Sequence, residues 1–302
     1  MNDASTLAKV PRARRSKAIA AWRELKKAPW SAWFGMIVLT GYIVVALFAP
    51  LIAPYGESEV VSPGSFDVWS AQYWFGTDQL GRDILSRMIY AARNSMGIAF
   101  AATAVAFITG GLLGIVAALL RGWVDQVASR LVDAVMAIPS LIFALMVLAI
   151  FEKTEVYHII LVIGFVDATR VFRLTRAVAM NVVSLDFVEA ARLRGEGTGW
   201  IVRREIIPNI MPPLLTEFGL RYCFVFLTIS ALSFLGLGLQ PPTADWGAMV
   251  KETATLFTYA RDDFQAGITP LLPAGAIALL TVSINFIVDW FLHKTSGLRD
   301  GQ

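Results

Sequence analysis

A chain of 302 residues with 56% hydrophobic and 16% charged side chains, and a mean hydropathy of +0.61, carries more apolar surface than a soluble core can hide, so the excess faces lipid. One cysteine excludes an internal disulfide, and two histidines, His158 and His293, far apart and without a Cys or carboxylate cluster, argue against a dedicated metal site. The formal charge of +3 points to one side of a membrane rather than to nucleic acid, as the positions of the basic residues show.

A membrane helix needs about 20 apolar residues. Charge-free runs supply them at 28–56, 94–120, 134–151, 222–244 and 264–288. A further run, 156–166, is short, and Asp167, Arg170, Arg173 and Arg176 follow it at three-residue spacing. It spans only if that end is sheltered. With six spans and both termini inside, 19 of the 26 Lys and Arg fall in inside segments, 6 fall outside, and Arg221 lies within a span. The order predicted is a cytoplasmic basic tail (1–28), a first span (29–53), an external loop with an amphipathic segment (54–93), a five-helix core (94–293) and a cytoplasmic tail (294–302). The tail, with Arg12, Arg14, Arg15 and Lys17, suits anionic headgroups. Trp30, Trp33, Trp123 and Trp290 fall near inner boundaries, and Trp74 and Trp246 near outer ones.

From Asp83 onward, Ile84, Leu85, Met88 and Ala92 share one helical face while Asp83, Arg87 and Asn94 lean the other way, which fits either a short helix on the membrane surface or a solvated connector. In the second span, Gly110 and Gly114 form a small-xxx-small face for close helix approach. Pro139 should kink the third. The segment 177–209 reads as helix, glycine turn, helix: Asp186 caps the first helix with Glu189 completing a box, Ala190 and Ala191 leave a flat face, and Gly195 lets the chain reverse. Such a face, flanked by Arg192, Arg194, Arg203 and Arg204, suits docking in another protein's groove.

Glu189-Ala190-Ala191, then Gly195 and Pro208, resembles the EAA loop of membrane subunits of bacterial ABC importers. Phe75-Gly76-Thr77-Asp78, Gly81-Arg82-Asp83, Ile207-Pro208-Asn209, the Leu232–Gly238 stretch and Asp245-Trp246-Gly247 resemble the second, C-type subunit of the dipeptide, oligopeptide and nickel permease group. Two positions depart from the pattern: Glu205 stands where the loop prefers Ile, and 196–199 is richer in glycine. The resemblance implies an all-α permease fold of the type I importer kind, with six transmembrane helices and a cytoplasmic helix-turn-helix coupling loop in a bacterial inner membrane. It implies a second permease subunit, two ATP-binding subunits holding ATP and Mg, an external solute-binding protein, and peptides as cargo, with nickel complexes or opine-like solutes as the alternative. Asp186, Glu189, Ala190, Ala191, Gly195 and Pro208 would then carry the contact to the ATPases.

No Gly-x-x-x-x-Gly-Lys-[Ser/Thr] loop is present, so this chain is read as a non-enzyme without catalytic residues or a cofactor of its own. No internal repeat is legible to favour an ion-coupled secondary transporter. Glu217 and Arg221, four residues apart inside a span, are read as an intramembrane ion pair or as pathway lining. Asp133, Asp167, Arg170, Arg173 and Asp289 sit near predicted helix ends, where snorkelling accounts for them.

Overall fold

The computed structural model describes residues 26–259, 261 and 263–295. Most of the basic tail, and the C-terminal tail beyond 295, lie outside the described residues. The fold is helical, with no strand among the described residues. In chain order the helices are α1 (Trp30–Leu47), α2 (Ala49–Ile52), α3 (Ile84–Leu120), α4 (Gly122–Met136), α5 (Ser140–Leu148), α6 (Val156–Val183), α7 (Asp186–Leu193), α8 (Thr198–Ile201), α9 (Ile207–Leu235), α10 (Trp246–Thr253), α11 (Phe264–Ile268) and α12 (Leu271–Thr295). A π-helical turn (Val202–Ile206) joins α8 to α9, making one long rod, and a 3₁₀ turn (Ala254–Tyr259) follows α10.

Four helical stretches are long and apolar enough to cross a membrane: Trp30–Leu47, Ile84–Leu120, Thr198–Leu235 and Phe264–Lys294. A fifth is added if α4 and α5 count as one broken span, bent by 84°. Pro139 therefore breaks the third run rather than merely kinking it. It occupies the cap of α5, where its missing amide costs no helical bond, and the residue before a proline is pushed out of helical geometry. α6 is 28 residues long but carries too many charges to stand as an apolar span.

Residues 84–93 form neither a separate surface helix nor a connector. Asp83 caps α3 by accepting from the Ser86 amide at 2.7 Å, and the helix then runs unbroken for 37 residues. Its polar first turns are sheltered by other segments of the chain, so nothing forces a break before Asn94. The fifth run ends at Leu235, nine residues short of the expected boundary at Ala244. There Gly236 takes φ +93°, and the Leu237 amide reaches back to the Leu232 carbonyl at 3.0 Å, a left-handed cap that glycine adopts at least cost.

The central packing is α3 against α6, mediated by the glycines that the spacing singled out. A Cβ on Gly110 would stand 2.3 Å from the Ala168 carbonyl oxygen, and one on Gly114 2.9 Å from that of Phe172. At Gly111 a Cβ meets nothing within 4 Å. Gly110→Ala is therefore expected to destabilise by about 1–3 kcal/mol through overpacking. Gly111→Ala is expected to be neutral or to stabilise by about 0.5–1 kcal/mol. Thermal melts of the two detergent-purified variants check the contrast; equal midpoints would remove the close-approach role.

Candidate functional site

Two polar constructions stand toward opposite ends of α3, about 40 Å apart from Arg87 to Ile115 at 1.5 Å per residue, and a third lies between them. The first is the hairpin of α7 and α8. Asp186 does not cap it: Leu185 holds the extended cap conformation, no side chain bonds the free amides, and Asp186 falls in the first turn beside Glu189. Both acids still favour the positive end of the helix. The helix closes on a full Schellman motif, with the Gly195 amide donating to the Arg192 carbonyl at 2.9 Å and the Glu196 amide to that of Ala191 at 3.2 Å. Gly195 adopts φ +83° and is surrounded by open space, so its requirement is conformational rather than steric.

The two alanines do not share one face. Ala191 is fully buried with Val188 against Ile201, Ile206 and Ile210, and this cluster continues into Ile115 and Ala118 of α3 and Ala179 and Val182 of α6. Ala190 is exposed, as are Glu189, Gly195 and Pro208. The hairpin is thus bolted to the ends of the two central helices by its inner side and presents Ala190, Phe187 and Leu193 outward, Leu193 at 83% exposure. Two surface clefts flank it. One of about 670 Å³ is lined by Gly199, Trp200, Arg203, Arg204 and Pro208, and one of about 440 Å³ includes Arg121, Glu189 and Arg192. Glu205, the departure from the loop pattern, sits in the π-helical turn, whose extra residue lets Ile206 and Ile210 both point inward.

The second construction was not legible as a site. Asp78 accepts from the Leu80 and Arg82 amides at 2.8 and 3.0 Å, and its other oxygen from Arg82 Nε at 2.7 Å and Arg87 Nη1 at 2.6 Å. The same Arg87 nitrogen reaches Glu252 of α10 at 2.5 Å. Asp78, Arg82 and Arg87 are almost wholly buried, so Arg87 faces inward where the helical-face reading put it outward. Nearby, Asn94 donates to Glu57 at 2.8 Å and to the Ala244 carbonyl at 2.9 Å, and Ser95 donates to Asp245 at 2.8 Å. Burial pushes the Asp245 carboxyl above the ordinary carboxylate range, opposed by bonds from the Ala248 amide and from Ser95. Trp246, expected at headgroup depth, is buried, donates to the Met88 carbonyl at 3.1 Å, and meets Tyr42 and Phe226 edge-on. Segments 54–83 and 237–259 are therefore a folded cap on this end of the bundle. Only Gly fits at 76 and 81, which have φ +74° and +73° and a neighbouring backbone oxygen about 2 Å from any added Cβ.

The third construction joins α6 to α9. The expected pair is present, with Arg221 Nε 2.7 Å from Glu217 Oε1, and it extends to Asp167, 3.7 Å from Arg221 Nη1 and 3.0 Å from Arg170 Nη1. Further along α6, Arg173 pairs with Asp133 at 3.0 Å and Arg176 forks onto Asp125. Arg173, Arg176 and Asp167 thus have partners on other helices while Arg170 pairs with Asp167 within α6, where snorkelling from the helix ends was expected for Asp133, Asp167, Arg170 and Arg173.

The model of the binding-protein-dependent transport system inner membrane component matches residues 110–295, and that of the N-terminal TM domain of oligopeptide transport permease C matches 18–66. The chain is 33% identical, over 94% of its length and 90% of the relative's, to the dipeptide transport system permease protein DppC of Alkalihalophilus pseudofirmus. It is 35% identical, over 88% of its length and 85% of the relative's, to the di/tripeptide transport system permease protein DppC of Pseudomonas aeruginosa. Among solved structures, an inward-facing MetNI methionine ABC transporter chain superposes with a TM-score of 0.51 at 15% identity, covering 69% of this chain and 97% of that one. The chain belongs to the binding-protein-dependent transport system inner membrane components, with a C-type oligopeptide permease N-terminal domain.

Proposed function

We propose that this chain forms half of a peptide translocation pathway in an ATP-driven importer and couples that pathway to partner ATPases through the hairpin 186–208. The observation that carries the reading is the mechanical continuity of the hairpin. Val188 and Ala191 lock it to α3 and α6, while Ala190 and Leu193 are left outward for a partner. A force on the outward side moves the central helices with it, because packed interiors transmit strain rather than absorb it. In this reading α6 is the sixth span, its charges sheltered by Asp133, Asp125 and Arg221, and both termini lie in the cytoplasm. The partners are a second permease subunit, two ATP-binding subunits that hold ATP and Mg, and an external solute-binding protein. Peptide is the favoured cargo because the curated relatives are named for it.

Reconstitution with these partners tests the reading. Labelled di- and tripeptide uptake is expected to require ATP hydrolysis and to stop when the ATPase subunits are inactivated. Uptake driven by an ion gradient without those subunits would overturn it.

A further inference from the structure

Asp167 and Arg170 lie near the middle of α6, and Glu217 and Arg221 near the middle of the rod Thr198–Leu235, so the four charges meet at mid-depth of both helices. Asp167 is buried and holds both guanidiniums, while Arg221 is further fixed over the Phe224 ring at 5.0 Å. The outer pair is less enclosed: the side chains of Arg170 and Glu217 are 36% and 23% exposed. Charges in lipid at such depth cost roughly 2.5–3.5 kcal/mol each on insertion scales, so the open side of this cluster meets water or protein.

Hydrogen-bonding capacity remains on that side. A guanidinium has five donors and a carboxylate about four acceptor positions. Among the described residues, Arg170 makes, beyond its bond to Asp167, only a 3.4 Å contact from Nη2 to the Ser140 hydroxyl at the break between α4 and α5. Among the same residues Glu217 has the Arg221 pair alone. The cluster's formal charges cancel, which disfavours a net anion or cation and matches a ligand carrying one charge of each sign.

We infer that Asp167, Arg170, Glu217 and Arg221 form a water-facing site on the pathway that takes the free ends of a peptide, the carboxylate on Arg170 and Arg221 and the ammonium on Glu217. This rests on the peptide-permease reading. Asp167 is the positioning residue that holds the two arginines side by side.

The test uses the assembled complex carrying Cys223→Ala and Ser140→Cys, with a water-soluble thiol reagent as reporter. The introduced thiol is expected to react, and excess dialanine to slow the reaction about fivefold or more, as mass action gives at several times Kd. N-acetyl-dialanine amide, lacking both charges, should not slow it. Arg170→Gln should abolish the protection while leaving the thiol reactive, and Arg170→Lys should restore it. A purely structural ion cluster predicts no difference between the two peptides. If the thiol at position 140 is unreactive, or is protected equally by both, the inference is overturned. Should Ser140→Cys fail to assemble, dialanine is expected to raise the melting midpoint of the unaltered complex but not that of Arg170→Gln, and equal shifts overturn it. Absence of ATP-driven peptide uptake by the unaltered complex would instead sink the functional reading, so the two failures are distinguishable.

Discussion

Ala190→Trp is expected to lower peptide uptake at least about tenfold, a loss of some 1.4 kcal/mol or more at the docking contact, while the permease still inserts and melts normally. The expectation follows from the division between the two alanines. Ala190 is exposed at the outer face of α7, so an indole there meets solvent in the isolated chain and a partner only in the complex. Ala191 is fully buried, so Ala191→Trp should unfold the hairpin itself and lose the melt as well as the uptake. Gly195→Pro belongs with the second class, because proline fixes φ near −65° and the chain needs +83°. ATP hydrolysis that continues without uptake in Ala190→Trp would be uncoupling; unchanged uptake would argue against docking at this face.

Arg87→Met is expected to cost about 3–5 kcal/mol, because one guanidinium nitrogen serves both Asp78 and Glu252 in a nearly dry site, and removing it leaves carboxylates buried with too little positive charge. Arg87→Lys should recover part of the loss, since a single ammonium cannot reproduce the planar fork that holds the Arg87 position. Adding Glu252→Gln to Arg87→Met should also recover part, by removing one of the stranded charges. Chemical or thermal unfolding of the purified variants reads this order. A melt of Arg87→Met equal to the unaltered chain would mean that the cap is not held through this cluster.

The sequence pattern reached four apolar helices and the helix-turn-helix of the hairpin because both are written locally. Charge-free runs mark the helices, and Gly195 announces a left-handed turn whose bonds to Arg192 and Ala191 then appear. It failed where partners are distant. Arg87 reads as a solvent-facing charge until Glu252, 165 positions away, supplies its counterion, and Asn94 reads as a helix boundary until Glu57 and Ala244 satisfy its amide. Hence the segment before position 94, open to a surface helix or a connector, became the first turns of α3, and Trp246, expected at the membrane interface, became part of the core. Misplacing the cap of α7 by one residue has a local cause. Leu185 holds the extended conformation of a cap, which composition alone does not favour over Asp186. The pair Glu217 and Arg221 was legible from its four-residue spacing, but its link to Asp167 on another helix was not.

The compartment and neighbour of position 190 test the coupling claim most directly. In a Cys223→Ala background, the Ala190→Cys variant is predicted to react with an impermeant thiol reagent only from the cytoplasmic face and to cross-link to a partner ATPase subunit. Labelling of that variant in intact cells from the exterior, with no cross-link to the ATPase, would contradict the account.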